Sequence, residues 1–140
     1  MELSKKDRAY FNVAKEVSKL SDFPRVHIGA CAVYKHKVIS TGYNSQRTSP
    51  LQKKYNQYRF TVDTPHTCHA ELSCLKPLIG RKDIKFENIE LYVYREDQSG
   101  TPLLARPCCS CEKLIRDLKI KKVFFSTYGG YASEEFYDME

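Results

Sequence analysis

Two short motifs supply the residue types of a catalytic metal site. Segment 69–71 reads His-Ala-Glu, and segment 107–111 reads Pro-Cys-Cys-Ser-Cys. One imidazole and two thiolates form a donor set typical of catalytic zinc, which keeps the fourth tetrahedral position for water. Cysteines three residues apart on a helix also point to the same side. We therefore predict that His69, Cys108 and Cys111 bind Zn²⁺.

Glu71 is the predicted proton carrier of this site. It lies two residues beyond His69, close enough to reach a water on the metal without entering the ligand set. A carboxyl group at that position can move protons during hydrolysis. The two motifs together therefore predict metal-assisted hydrolysis with Glu71 as the catalytic residue.

A closed structural zinc site is the alternative interpretation. Such a site needs a fourth protein ligand, which Cys109, Cys68 or Cys74 could supply. The chain would then be a non-catalytic, zinc-stabilised binding or assembly module. Cys31 and Cys74 lie in apolar patterns, which favours buried small side chains, and the absence of an export signal favours thiols over disulfides.

Hydrophobic periodicity predicts the elements that position these residues. Their order is α-β-β-α-β-α-β, which indicates a three-layer α/β/α domain with a mixed sheet of four to five strands and helices on both faces. Ser4 is the expected N-cap of the first helix, and Pro107 is expected to open the last one. The predicted helices are 5–20, 68–79 and 107–118, and the predicted strands are 28–34, 38–43, 89–94 and 123–126, followed by an acidic tail.

The segment between the second strand and the second helix is polar, basic and rich in tyrosine. Residues 44–67 fit neither helix nor strand periodicity, so we predict a long functional loop. Residues 23–62 contain no acidic side chain, which favours an anionic partner. Arginines match the geometry of phosphate groups, and Arg25 and Arg47 lead the candidates for binding one. The other candidates are Lys53, Lys54 and Arg59.

The whole chain has the composition of one globular domain. Its 140 residues are 41% hydrophobic and 29% charged, with a formal net charge of +6, and a chain of this length fits one ordinary domain. We predict a single domain over 1–140, with 126–140 as a short tail. No signal-peptide pattern or run of eighteen apolar residues is present. The expectation is a cytoplasmic protein without a membrane partner.

The sequence resembles the cytidine and deoxycytidylate (dCMP) deaminase superfamily, most closely the phage-type dCMP deaminases. The pattern H-x-E with P-C-x-x-C is the signature of zinc deaminases, and all its positions are matched. Segments 27–33, 42–44 and 67–72 also look like that family, as do 108–118 and 120–123. The resemblance covers about residues 5–128.

This resemblance implies hydrolytic deamination of cytosine, with dCMP converted to dUMP as the favoured reaction. Zinc-bound hydroxide would attack C4 while Glu71 shuttles protons to N3 and to the leaving ammonia. In similar enzymes the Asn of a Gly-Tyr-Asn motif bonds the sugar or base, and the backbone after the His ligand reads the base edge. Those roles fall on Asn44 and Ala70, and Tyr128 is a candidate for packing on the base or sugar.

A second hypothesis is deamination of polymeric nucleic acid, either a cytosine in single-stranded DNA or an adenosine in tRNA. Aromatic side chains interleaved with positive charge hold single strands, and Tyr43, Tyr55 and Tyr58 lie among basic residues. A free nucleotide or nucleoside remains the favoured partner. Only fourteen residues follow Ser126, too few for the last strand and helix of the family's fold. A trimmed sheet, or one completed by homo-oligomerisation, is therefore expected.

Overall fold

The structure is a computed structural model that describes residues 3–58 and 67–136. Within these ranges, helices long and apolar enough to cross a membrane are not found. The elements are α1 (Lys5–Ser18), β1 (Val26–Tyr34), β2 (Lys37–Tyr43), β3 (Ser45–Thr48), α2 (Pro50–Asn56), β4 (Thr67–Cys68), α3 (Ala70–Leu75), β5 (Glu90–Asp97), β6 (Pro102–Leu103), α4 (Cys109–Asp117), β7 (Lys122–Ser126) and β8 (Tyr131–Glu135).

The central sheet is mixed and carries helices on both faces, as predicted. Its strand order is β2-β1-β5-β7-β8, and the two-residue β6 also pairs with β5. The pairing is parallel between β5 and β7 and antiparallel between the other neighbours. The helix α4 lies in the crossover between β5 and its parallel neighbour β7. Parallel strands need such a crossover, which is usually an α-helix. The described residues thus form the predicted α/β/α layers.

Alternation along the strands divides the apolar side chains between two cores. Successive residues of a strand point to opposite faces. On β5, Tyr92 contributes to the smaller core beneath α1, whereas Leu91 and Val93 contribute to the larger core that includes residues of α3 and α4. In the smaller core, the rings of Tyr92 and Phe124 stack with their centroids 4.4 Å apart. The site-bearing helices therefore lie on the face of the larger core.

Two glycines permit close contact between helices and the sheet. A Cβ on Gly29 would lie 2.0 Å from the backbone oxygen of Ala14 in α1. A Cβ on Gly42 would lie 2.3 Å from the backbone nitrogen of Cys74 in α3. Neither distance is compatible with a side chain, so these two positions determine how near α1 and α3 approach the strands.

The N-terminal helix and the hairpin confirm the sequence interpretation. The Ser4 side chain accepts a hydrogen bond from the backbone N–H of Asp7 and caps α1. The strands β1 and β2 are antiparallel, with Tyr34 paired to Lys37. Lys35 and His36 between them have φ values of 50° and 65°, which matches a two-residue turn with both residues in the left-handed region.

The prediction of a long loop over 44–67 was wrong for most of the described part of that segment. The structure has β3, α2 and β4 here, and β3 pairs antiparallel with β4 in a separate two-stranded sheet. The helix α2 has seven residues, which is too short for a clear periodic signal. Its N-cap Ser49 and the following Pro50 fit a helix start. Residues 59–66 lie outside the described residues, and with them Arg59.

The acidic tail predicted after Ser126 contains a strand. Tyr131–Glu135 forms β8, which pairs antiparallel with β7 at the edge of the sheet. After it, Phe136 is buried and its backbone N–H donates to the carbonyl of Lys121 at 2.6 Å. The fifth long strand is thus supplied by the chain itself, and oligomerisation is not needed to provide it.

Candidate active site

His69 and Glu71 lie at the start of α3, as predicted. His69 is the N-cap, with φ −81° and ψ 156°, and its side chain makes no capping hydrogen bond. Instead its Nδ1 atom faces the two cysteines of the second motif. Glu71 is the second residue of the helix and is 5% exposed. The helix start therefore places both candidate side chains on the side of α4.

Cys108 and Cys111 occupy the start of α4, one turn apart. Cys108 is the N-cap and Cys111 is buried within the first turn. Pro107 was expected to be the first helical residue, but the helix begins at Cys109. The correction follows from Cys108, which has the extended backbone of an N-cap, φ −70° and ψ 172°.

The three predicted metal ligands converge. The Nδ1 atom of His69 is 3.3 Å from the Sγ of Cys111 and 3.5 Å from the Sγ of Cys108, and all three donor atoms lie within 4.8 Å of one another. Tetrahedral bonds of about 2.0–2.3 Å place neighbouring donors about 3.5 Å apart. The spacing and the chemistry of this donor set therefore fit zinc.

The two thiols differ in their protonation. Hydrogen bonding with Cys111 lowers the pKa of Cys108 far below its ordinary value, and the imidazole of His69 acts in the same direction against burial. The hydrogen bond with Cys108, together with burial, raises the pKa of Cys111. These opposite shifts are those of two neighbouring thiols that share a hydrogen bond, and a bound cation would displace the proton between them.

Glu71 has the environment of a proton-transferring carboxyl group. Burial raises its pKa, while the neighbouring His69 opposes that rise. A carboxyl group whose pKa is moved upward toward neutrality can both accept and donate a proton. Glu71 lines the same pocket as His69 and Cys108, so it is placed for chemistry beside the donor set.

A buried glutamine on α2 joins the two motifs and was missed by sequence analysis. The Oε1 atom of Gln52 accepts a hydrogen bond from the backbone N–H of His69 at 3.1 Å. Its Nε2 group donates to Asn56 at 2.9 Å and to the hydroxyl of Ser110 at 3.4 Å. That hydroxyl is 3.0 Å from the Sγ of Cys108. Gln52 is fully buried, and a single glutamine in a polar segment carries no recognisable sequence signal.

The pocket beside the donor set has apolar and basic walls. Its volume is about 190 Å³. Two arginines, Arg95 and Arg106, belong to its lining and were not selected from the sequence, because each follows an apolar run and neither belongs to a motif. The full described lining is Ile28, His69, Glu71, Val93, Arg95, Leu104, Ala105, Arg106 and Cys108.

The two arginines predicted to bind phosphate lie elsewhere. Arg25 lines a separate shallow depression with Asp97, Gln98 and Ser99, because it immediately precedes Val26, which pairs with Asp97 at the far end of β5. Arg47 is exposed on β3, in the separate two-stranded sheet. Neither is among the described residues of the pocket lining.

Asn44 and Ala70 are buried beside the site rather than in its described lining. The Oδ1 atom of Asn44 accepts from the backbone N–H of Ile28 at 2.9 Å, and its Nδ2 donates to the carbonyl of Val26 at 3.0 Å. Asn44 therefore holds the backbone of β1 against the end of β2, and β1 carries the pocket residue Ile28. Ala70 follows the donor His69 and is fully buried.

Among the described residues, the tyrosines that the sequence analysis singled out do not line this pocket. Tyr128 is 73% exposed in the turn after β7, outside the described lining. Tyr55 is buried, and its hydroxyl donates to Asp117 at 2.9 Å. Tyr58 is exposed and lies under the ammonium group of Lys113.

The remaining cysteines do not join the cluster. All six cysteines are free. Cys109 is exposed, and the thiol of Cys68 donates to the neighbouring carbonyl of His69. Cys31 and Cys74 are buried as predicted, and burial raises the pKa of both thiols. Among the described residues, the metal-binding group contains only one histidine and two cysteines, which leaves room for a non-protein ligand.

Comparison with known proteins agrees with this arrangement. Residues 4–127 match the sequence profile described as the cytidine and deoxycytidylate deaminase zinc-binding region. No match was found among curated protein sequences.

Solved structures show the same fold. The dCMP deaminase of cyanophage S-TIM5 in apo form has a TM-score of 0.61 and 24% identity over 89% of this chain and 84% of that chain. The structure of its complex with dCMP and dUMP has a TM-score of 0.61 and 22% identity over 89% of this chain and 83% of that chain. The cytidine deaminase of Burkholderia pseudomallei has a TM-score of 0.64 and 17% identity over 95% of this chain and 93% of that chain.

Proposed function

Because the chain belongs to the family of the cytidine and deoxycytidylate deaminase zinc-binding region, we propose that it is a zinc-dependent hydrolase that deaminates a cytosine nucleotide or nucleoside. The favoured reaction is conversion of dCMP to dUMP. One observation carries the proposal: the donors of His69, Cys108 and Cys111 converge beside a buried carboxyl group, that of Glu71, in a common pocket.

His69, Cys108 and Cys111 are the residues that would hold zinc. When bound, zinc supplies a hydroxide nucleophile near neutral pH by lowering the pKa of water. The helix start at Cys108 favours thiolate charge because the backbone N–H groups there point toward it. Gln52 holds the backbone of His69 by its hydrogen bond to the N–H group.

Glu71 would carry the proton through hydrolysis. Water adds oxygen to C4 of the base, and the C4–N4 bond breaks with loss of ammonia. Glu71 accepts one proton of the water and delivers it to N3, then accepts the second proton from the oxygen added at C4 and passes it to the leaving amino group, which departs as ammonia. Its raised pKa suits both steps, since the same group must accept and donate.

The walls of the pocket support a flat, partly apolar substrate. Ile28, Val93 and Leu104 offer apolar surface next to Glu71, and nucleobases pack on such surfaces. The cyanophage relative was solved with dCMP and dUMP, which supports a pyrimidine nucleotide here. A homo-oligomeric state, a cytoplasmic location and a single-domain organisation over 1–140 stay predictions.

A substrate panel tests the proposal directly. Zinc-loaded protein is incubated with dCMP, dCTP, deoxycytidine and cytidine, and ammonia release is followed. We expect turnover of dCMP. Inactivity on all four compounds would contradict the proposal, and editing of an oligonucleotide in its place would favour a polymeric substrate. A third sulfur ligand in the zinc absorption spectrum would indicate the closed structural site.

Substitution of Glu71 separates catalysis from metal binding. We expect Glu71→Ala to lower kcat by about 10²- to 10⁴-fold, the usual contribution of a general acid and base, while zinc content stays at the wild-type value. Glu87→Ala is the matched control, because Glu87 is exposed in a short 3₁₀ turn. Retention of full activity by Glu71→Ala would rule out the assigned role.

A further inference from the structure

Arg95 projects from the central strand into the pocket that contains Glu71. It follows Val93 by two residues on β5, so the two side chains share one face of the sheet. Val93 and Arg95 both line the pocket. The apolar row of the larger core therefore ends in a positive charge at the candidate active site.

One N–H group of the Arg95 guanidinium lacks a hydrogen-bond acceptor. Its Nε atom is shielded from solvent and has no hydrogen-bond partner in the described structure. The backbone N–H of the same residue is occupied, since it donates to the hydroxyl of Ser126 at 3.1 Å. A buried N–H group without an acceptor is unfavourable, more so on a charged side chain. An acceptor bound in the pocket would remove that cost.

The other arginine of the pocket wall is already neutralised. Arg106 donates through Nε and an Nη group to both carboxylate oxygens of Glu134, each at 2.8 Å, and contacts Glu112 at 3.2 Å. Over residues 3–58 and 67–136, no ion pair involves Arg95. Of the two arginines, Arg95 is the one with charge left to offer a ligand.

We propose that Arg95 binds the phosphate of the substrate and thereby selects cytosine nucleotides over nucleosides. The proposal rests on the proposed deaminase function and names the substrate class of that site. A guanidinium group forms paired, charge-assisted hydrogen bonds with phosphate oxygens. A neutral carbonyl of the base would accept a hydrogen bond but leave the charge of Arg95 uncompensated. Phosphate supplies both a hydrogen-bond acceptor and a negative charge for Arg95. Arg25 and Arg47 lie outside the pocket lining and cannot bind a phosphate within it.

The decisive measurement is kcat/KM for dCMP and for deoxycytidine in matched variants. A charge-assisted hydrogen bond of the usual strength predicts that Arg95→Gln lowers kcat/KM for dCMP by roughly 10- to 100-fold. The value for deoxycytidine should change by less than about threefold, because that substrate has no phosphate to lose. Arg95→Lys should recover part of the dCMP activity, and Arg8→Gln, an exposed arginine of α1, should behave as wild type.

Three outcomes would overturn the assignment. The first is an equal loss of kcat/KM for dCMP and deoxycytidine in Arg95→Gln, which indicates that Arg95 contacts the base or supports the fold. The second is an unchanged kcat/KM for dCMP in Arg95→Gln. The third is a selective loss of kcat/KM for dCMP in Arg25→Gln or Arg47→Gln.

Ligand binding distinguishes this inference from failure of the proposed function. Calorimetric titration with dUMP and deoxyuridine requires no turnover. We expect Arg95→Gln to lose affinity for dUMP by at least tenfold and to leave deoxyuridine unaffected, and inorganic phosphate should compete with dUMP in the wild type. An inactive enzyme with Arg95-dependent dUMP binding would reject only the deaminase function. Unchanged dUMP binding in both Arg95→Gln and Arg95→Lys would reject the inference.

Discussion

Gln52 contacts the backbone of one candidate ligand and, through a serine, the side chain of another. Its amide accepts from His69 and donates to Ser110, whose hydroxyl lies 3.0 Å from the Sγ of Cys108. Loss of a group that holds a metal ligand in place typically weakens metal binding by about 10- to 100-fold. We infer that Gln52 is a positioning residue for the metal site.

Replacement of Gln52 by methionine tests this role, because the change keeps the volume and removes the hydrogen bonds. We expect Gln52→Met to weaken zinc binding by about 10- to 100-fold. The same replacement at Gln57, exposed at the end of the same helix, should leave zinc affinity unchanged. Competition with a chromophoric chelator measures both variants.

A purely structural role for Gln52 makes a different prediction. It would lower the melting temperature of the metal-free protein without changing zinc affinity. If Gln52→Met does not fold, Ser110→Ala removes only the hydroxyl that links Gln52 to Cys108. Wild-type zinc affinity in that variant would argue against the network.

The site residues fall into two groups: those that a sequence motif identifies and those that only the structure identifies. His69, Glu71, Cys108 and Cys111 occur in short motifs of chemically unusual residues, so their spacing alone predicted their convergence. Arg95, by contrast, is one arginine after an apolar run. Only the strand register, which puts it on the face of Val93 and beside the pocket, gives it a function.

At the scale of elements, the separation of α3 from the sheet depends on Gly42. A Cβ at this position would lie 2.3 Å from the backbone nitrogen of Cys74 and 2.6 Å from the carbonyl of Ala70. These are backbone atoms and cannot rotate away. Any side chain here must push the start of α3 outward, together with His69 and Glu71.

We therefore expect Gly42→Ala to destabilise the fold by about 1–3 kcal/mol, the usual cost of overpacking, and to lower zinc affinity as well. Gly129→Ala is the matched control, since nothing lies within 4 Å of a Cβ at that position. Chemical denaturation gives the free energy of unfolding for both variants. Equal values would show that α3 tolerates the displacement.

Prediction of the helices and strands succeeded where the apolar pattern extended over many residues. It failed for the short helix α2 and for the edge strand β8. The helix α1 has fourteen residues with a clear apolar side and a serine cap. The helix α2 has seven, and its buried face includes the polar Gln52 and Asn56, so its sequence does not look amphipathic. The strand β8 reads Tyr-Ala-Ser-Glu-Glu and is defined by its hydrogen bonds to β7 rather than by its own pattern.

For the whole molecule, the last strand holds one wall residue of the candidate active site in place. Arg106 in that wall is held by Glu134 of β8 and by Glu112 of α4. Arg106 also lies over the ring of the buried Phe136. The C-terminal strand thus anchors a pocket residue, so residues 131–136 belong to the packed structure around the candidate active site.

The Arg106–Glu134 pair should make stability depend on pH. Hydrogen bonding from Arg106 lowers the pKa of Glu134 in the folded protein, below the value of about 4.3 expected for an unfolded glutamate. The stabilisation is therefore present above pH 4.3 and is lost as the pH falls through the folded pKa. The Glu134 side chain is 35% exposed, so solvent screening limits the contribution to at most about 1 kcal/mol.

The expected result is that Glu134→Gln lowers the free energy of unfolding at pH 7, and that its difference from wild type shrinks as the pH falls well below 4.3. Glu16→Gln, which removes a more exposed pair on α1, should change stability less at either pH. Urea denaturation at pH 7, 5 and 3 measures all three proteins. A difference that persists undiminished at the lowest pH would mean that packing of β8 against the pocket wall, rather than charge, accounts for the effect of Glu134.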